Sequence, residues 1–172
     1  DNILIPNSEV KPEYAYNLEL GSDYNVEGLV EFGGNFYTTI LKDAIVRSDY
    51  RYNNQDSLLF NGKMYDVQTN LNSDRALIYG INLYMKSDFS ELLQLKSTIN
   101  YTNGTDLSRN VPLGHIPPFF GMSSVSTKIN SFTGEFYALY NGWKYARDFS
   151  PEDEDKPDEA TIHGFPAWGT LN

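Results

Sequence analysis

Between Arg75 and Asn103, apolar and polar residues alternate with a period of two along two successive stretches. Leu77, Tyr79, Ile81, Leu83 and Met85 fall on one side of the first stretch. Ala76, Gly80, Asn82, Tyr84 and Lys86 fall on the other, with Ile78 as the one apolar exception there. In the second stretch Leu93, Leu95, Ile99 and Tyr101 alternate with Gln94, Lys96, Thr98, Asn100 and Thr102. Alternation sustained over ten or more residues predicts a strand with one apolar and one polar face. The short polar link Ser87-Asp88-Phe89-Ser90-Glu91 predicts a hairpin turn.

The same pattern predicts strands elsewhere. In Tyr14 to Tyr24, the residues Tyr14, Tyr16, Leu18 and Leu20 oppose Ala15, Asn17, Glu19, Gly21 and Asp23. A longer strand runs from Val26 to about Arg47; its phase blurs after Tyr37, where Thr38-Thr39-Ile40 suggests a bulge or bend. Ser48 to Asp74 reads as a long polar loop. Within it Asn61-Gly62 signals a type I′ hairpin between Ser57–Phe60 and Lys63–Thr69. Gly104 to Pro118 is a second long loop, with Pro112, Pro117 and Pro118. Phe119 to Ile129 is a weaker strand, Asn130 to Thr133 a turn, and Gly134 to Arg147 an aromatic-rich strand. Asp148 to Phe165 is a loop with the acidic run PEDEDKPDE, and Ala167 to Asn172 begins another strand. Asn2 to Pro6 is a short apolar segment.

Short connections near residues 24, 89 and 131 therefore alternate with long ones at 48–74, 104–118 and 148–166. In an up-and-down sheet this places every short turn at one end and every long loop at the other, the asymmetry of an outer-membrane β-barrel. About ten residues, tilted by about 40°, span about 25 Å, the height of such a barrel's apolar band. Tyr14, Tyr24, Tyr84, Tyr101 and Tyr145 at strand ends suit an interfacial aromatic girdle. A soluble β-sandwich or an array of hairpins would show the same period. The polarised loop lengths favour the barrel, as do the very polar faces carrying Glu19, Glu27, Glu31, Gln94 and Lys96.

Composition narrows the picture. The 172 residues suffice for one domain, and the absence of Cys excludes disulfides and thiolate metal sites. A net charge of −10 argues against nucleic acid, whose phosphates require a basic face. The mean hydropathy is −0.47 and no apolar run is long enough for a membrane helix, but barrel strands show lipid only every second residue. The abrupt start at Asp1 and the end at Asn172 lead us to expect a piece of a longer protein.

Longer stretches resemble a known family. VKPEYAYNLELGSDY at 10–24, FYTTILKDAIVR at 36–47 and NNQDSLLFNGKMYDVQTNLNSDRALIYGINL at 53–83 resemble successive segments of the barrel of TonB-dependent outer-membrane receptors. So do VPLGHIPPFFG at 111–121 and YNGWKYARDFSPEDEDKPDEATIHGFPAWGTLN at 140–172. The matches run in order over nearly the whole chain. Asn54 stands where the family usually has Gly, and Gly169 replaces an aromatic.

The resemblance implies an all-β fold. It would be an antiparallel up-and-down sheet forming an incomplete portion of a 22-stranded transmembrane β-barrel. Residues 1–172 would be a partial barrel domain of about six full strands and the start of a seventh, with the plug and final strands outside it. It also implies a fragment of a receptor that takes up a scarce, bulky nutrient, such as an iron-siderophore complex or cobalamin, across the outer membrane of a Gram-negative bacterium. The implied partners are the lipid bilayer, the plug of the full-length protein, an energy-transducing TonB-type complex and a small-molecule nutrient. No cofactor is implied. A surface adhesin or soluble β-sandwich binding module is the alternative function.

Lipid would then meet Leu77, Tyr79, Ile81, Leu83, Leu93, Leu95 and Ile99. Glu19, Glu31, Asn82, Lys86, Gln94 and Lys96 would face the lumen and plug. Residues with separate chemistry are few. His115, in the proline-rich HIPP stretch, and His163 read as ligand contacts or as loop architecture. Tyr50, Tyr52 and Tyr65 in the first long loop are further candidates for touching ligand. The acidic run Glu152 to Glu159 lacks the spacing of a calcium loop and reads as a solvated loop. Trp143 and Tyr145 read as core or girdle. No Ser lies in a recognisable nucleophile setting, so an enzyme is not expected.

Overall fold

The computed structural model describes residues 2–151 and 155–172, apart from the side chains of residues 73 and 74. Among the described residues twelve strands form in chain order: β1 Asn2–Ile5, β2 Tyr14–Val26, β3 Val30–Asp49, β4 Ser57–Phe60, β5 Lys63–Ser90, β6 Leu93–Asp106, β7 Val111–Pro112, β8 Phe120–Ile129, β9 Phe132–Asn141, β10 Lys144–Tyr145, β11 Gly164–Phe165 and β12 Trp168–Leu171. Seven of them follow one another through a single open sheet in the order β2-β3-β5-β6-β8-β9-β12, each antiparallel to the next. The exception to the antiparallel meander is β1, which lies parallel to the upper part of β5.

Register carries the alternation across the sheet. Leu20, Phe36, Ile81 and Tyr101 stand opposite one another in successive strands, as do Asn35, Asn82 and Asn100 one position away. Directly paired residues of an antiparallel ladder share a face. One face of the sheet is therefore largely apolar from Tyr16 and Leu18 through Phe32, Phe36 and Ile40 to Leu83, Ile99, Val125 and Phe136, broken where Ser97 and Ser123 share a hydrogen bond and Met122 and Leu139 pair on the other face. That face is open: Leu20 is 66% exposed, Phe36 45% and Ile81 38%. Among the described residues the buried apolar side chains are only Ala44, Val67 and Ala76. A β-sandwich would bury these Leu, Ile and Phe against a second sheet about 10 Å away. Here no second layer covers them, so the sandwich alternative does not describe this fold.

The opposite face is polar and cross-linked. The Asn82 amide donates to Asn35 at 3.1 Å, and Asn35 in turn donates to Glu19. The Tyr84 hydroxyl donates to Asp23 at 2.7 Å. Tyr37 and Thr102 share a hydrogen bond of 2.6 Å across Gly80. Tyr84 therefore belongs to the polar face, where its parity with Asn82 and Lys86 puts it, and not to the aromatic girdle. The apolar exception Ile78 stands opposite Gly104, over which Ile116 and Leu113 pack. It is thus the cross-strand neighbour of the glycine that a loop covers on the polar face.

The connections alternate as the pattern predicts, with shifted bounds. The short turns are residues 27–29, 91–92 and 130–131. Positive φ at Glu27, Gly28 and Asn130 makes the first and third tight. A register shift between Asp88 and Ser90 moves the second turn toward Leu92. Three other boundaries are corrected. The bend in β3 is not at Thr38–Ile40, which stay in register; it falls at Asp43, whose φ is +53°. The stretch 48–74 is not a loop throughout, because β3 and β5 remain paired up to Asp49 and Gln68. The strand expected to reach Arg147 stops at Asn141, where the amide of Gly142 turns to donate to Phe119 at 2.6 Å.

The Asn61-Gly62 turn joins β4 to β5 as predicted, with φ of +49° and +79°. A side chain in that left-handed conformation costs about 1–2 kcal/mol. Gly62→Ala is therefore expected to speed amide exchange in Ser57–Phe60 and to leave exchange in β6 and β8 unchanged.

Candidate functional site

All the long connections lie at one end of the sheet, and two of them are folded and pinned. The first, residues 107–119, begins at Asp106, whose fully buried carboxylate accepts the amides of Ser108 at 2.8 Å and Arg109 at 3.1 Å. Its other oxygen accepts Arg109 Nε at 2.8 Å. This local capping is what an Asp at a turn start does. Pro112, Pro117 and Pro118 then limit the backbone, and Asn110 and His115 take left-handed conformations with φ of +56° and +60°. Leu113 and Ile116 lie over Gly104, where a larger residue would collide with them. A small cavity of about 190 Å³ remains between this loop and Leu41, Ala44 and Ala76.

The second loop, residues 142–167, holds the short β10–β11 pair and two single 3₁₀ turns. Gly164 has a φ of +107°, and its Cβ position would overlap the carbonyl of Lys144, so the β10–β11 turn admits no side chain there. Trp143 stacks on Tyr145 with centroids 6.1 Å apart and donates its ring N–H to the His163 carbonyl at 3.1 Å.

The two loops meet at Asp155. One of its oxygens accepts Lys144 Nζ at 2.5 Å and the His115 amide at 3.1 Å; the other accepts the Ser150 amide at 2.8 Å. The Lys144 and Asp155 side chains are only 10% and 4% exposed. This is a buried ion pair whose carboxylate also accepts two backbone amides, and such added hydrogen bonds are what make a buried pair tolerable. The acidic run is thus not uniformly solvated. Its residues 152–154 lie outside the described residues, Asp155 is buried, and Lys156 and Glu159 form an exposed pair at 3.0 Å.

The top of β3 and β5 forms another group, which Pro151 of the second loop reaches. Here Tyr50 donates its amide to Val67 at 2.9 Å, and its ring is exposed. Tyr50 lines a cavity of about 270 Å³ with Asn2, Asp49, Asp56, Asp66 and Gln68. Arg51 donates to Asp56 at 2.6 and 3.3 Å, and this hydrogen bond, reinforced by charge, holds the guanidinium above its ordinary pKa. Tyr52 is exposed and bridged through its backbone to Gln55. The Tyr65 ring is engaged in the hairpin, edge-on to Phe60 at 6.3 Å with Lys63 Nζ 5.6 Å from its centroid.

The five sequence candidates thus fall into two clusters: Tyr50, Tyr52 and Tyr65 in one, His115 and His163 in the other. Both histidines are exposed and serve the fold through their backbones, His115 as a donor to Asp155 and His163 as an acceptor from Trp143 and Ala146. Sequence reasoning missed Asp106, Lys144 and Asp155. Nothing in the composition distinguishes a buried Asp from its solvated acidic neighbours.

The sequence matches the family model "TonB dependent receptor-like, beta-barrel" over residues 1–172. The chain belongs to the TonB-dependent receptor β-barrel family. No curated protein sequence matches it. Among solved structures, the copper transporter OprC superposes with a TM-score of 0.74 at 15% identity, covering 95% of this chain and 23% of that one. The siderophore receptor PirA from Acinetobacter baumannii gives 0.67 at 18% identity, covering 98% and 26%. The FrpB iron transporter from Neisseria meningitidis gives 0.63 at 15% identity, covering 99% and 25%. The chain thus spans about a quarter of these proteins' length, and the likeness is one of fold. For this receptor segment the open sheet is part of a transmembrane barrel. Membership explains why the apolar face lacks a covering layer, since the barrel wall presents that face to lipid. It also explains the free edges of β2 and β12, which in a closed barrel pair with further strands.

Proposed function

We propose that this segment is part of the wall and outer mouth of an outer-membrane receptor that takes up a scarce, bulky nutrient. The carrying observation is the single sheet with one exposed apolar face, one cross-linked polar face, and all long loops at one end. The apolar face suits lipid, the polar face suits a hydrated lumen holding a plug, and the folded loops suit capture of a ligand. Iron-siderophore complexes and cobalamin are the cargo classes we favour, and a copper species joins them because a structural neighbour is a copper transporter. In this reading a TonB-type complex energises release through the plug. Tyr50, Tyr52, Tyr65, His115 and His163 are the proposed cargo contacts, with Tyr50 and His115 favoured because their rings are free of the packing that engages Tyr65.

Growth decides this. A strain lacking the gene, with other uptake routes for the same nutrient removed, is expected to fail on one of ferric enterobactin, cobalamin or limiting copper as sole source. It should recover when the full-length gene is restored. Unchanged growth on every source would refute the uptake reading.

A further inference from the structure

We propose that Asp155 is a positioning residue. It locks loops 107–119 and 142–167 into one unit and holds His115 in a left-handed backbone, so that the imidazole is presented at the mouth of the barrel. The second half of this statement rests on the uptake reading above; the first does not.

Three donors from three chain segments converge on this one carboxylate: the amide of His115, the amide of Ser150 and the ammonium of Lys144. His115 belongs to one loop and the other two to the second. Loss of the carboxylate would leave all three donors unsatisfied, and loss of the Lys144 ammonium would leave the carboxylate a buried unpaired charge, so the contacts depend on one another. His115 is held at a φ of +60°, a conformation that a residue with a side chain keeps only where its surroundings over-determine it. Its anchors are Asp155 on one side and, one residue on, Ile116 packed over Gly104 on the other. The amide is thereby spent on the fold while the ring stays exposed, with no hydrogen-bond partner among the described residues. Such a pinned backbone with an unengaged ring lowers the entropy cost of a contact made later. The β4–β5 hairpin stands on the other side of β5, and Pro151 of the second loop reaches the cavity that Tyr50 lines.

The test uses the full-length receptor in detergent micelles, compared by hydrogen exchange with Asp155→Ala, Asp155→Asn and Lys144→Met. Asp155→Ala is expected to speed exchange about tenfold or more in peptides covering 109–118 as well as in those covering 142–151, with β5 and β6 unchanged. Asp155→Asn keeps an acceptor for the His115 amide and should fall between. Lys144→Met lies in one loop and must raise exchange in the other. Acceleration confined to 142–151 in all three variants would overturn the coupling. If Asp155→Ala fails to assemble, Lys144→Met carries the same comparison.

For the presented imidazole, uptake is measured with whichever of ferric enterobactin, cobalamin or Cu²⁺ supports growth. His115→Ala and Asp155→Ala should each raise the half-saturating concentration severalfold and leave the maximal rate unchanged. Unaltered half-saturation in His115→Ala would overturn that part. Failure of the wild type on every source would refute the uptake reading alone, leaving the exchange result to judge the loop unit.

Discussion

Ile81→Arg is expected to destabilise the folded barrel by about 2–4 kcal/mol, while Asn82→Arg one residue away costs far less. The two positions differ only in which side of the ladder they occupy. Ile81 stands in a row with Leu20, Phe36 and Tyr101 on the apolar face. An arginine there has hydrocarbon around it at mid-height and must distort the bilayer to stay hydrated. Asn82 stands between Asn35 and Asn100 on the polar face, where a new cation meets water and the nearby Glu19. Unfolding of the full-length protein from lipid vesicles in guanidinium measures both. Equal losses for the two variants would mean that the faces are assigned wrongly.

The second large effect is expected from Gly80→Val. The Cβ position at Gly80 is filled by the Tyr101 carbonyl and the Tyr37 hydroxyl, which lies over the glycine to reach Thr102 at 2.6 Å. A tyrosine laid across a strand glycine is the aromatic rescue that restores cover where a side chain is missing. Valine would collide with a backbone oxygen that cannot yield and would displace the ring. Overpacking of this kind costs about 1–3 kcal/mol, and the lost Tyr37–Thr102 hydrogen bond adds about 1 kcal/mol. Gly134 provides the comparison, since its nearest neighbour is Thr127 Cγ2 at 3.7 Å, an ordinary contact. Gly134→Val should therefore shift the unfolding midpoint little, and Gly80→Val should shift it strongly.

The wall was readable from residue order because lipid on one side and a wet lumen on the other impose the period of two. Leu77 to Met85 and Leu93 to Tyr101 carry it with single exceptions at Ile78 and Ser97, and their pairing follows from it. Above the apolar band Val67, Gln68 and Thr69 are all buried, with β1 lying along them, so the period of two is lost. Asn70 to Ser73 read as loop although β5 runs through them in register with β3. Tyr84 was placed with the girdle on residue type alone, while its parity had already set it among polar neighbours. The mouth was less legible still. The loop pair depends on one carboxylate buried at 155 beside others left in solvent, and on a left-handed histidine. Both are consequences of long-range packing that no local pattern announces. Ile78 is the instructive case: an apolar break in the polar face looked like noise, and it stands opposite Gly104, the residue over which Ile116 packs.

Spin labels give the most direct measurement of the two-faced wall: these 172 residues contain no cysteine, and any elsewhere in the full-length protein is first replaced by serine. Single cysteines at successive positions 78–84 of the full-length protein, labelled and placed in lipid vesicles, are compared for collision with oxygen and with a water-soluble nickel chelate. Labels at 79, 81 and 83 should favour oxygen, and those at 80, 82 and 84 should favour the chelate or be shielded from both. A run without this alternation, or with the two sets exchanged, would contradict a wall that turns Ile81 to lipid and Asn82 to an enclosed interior.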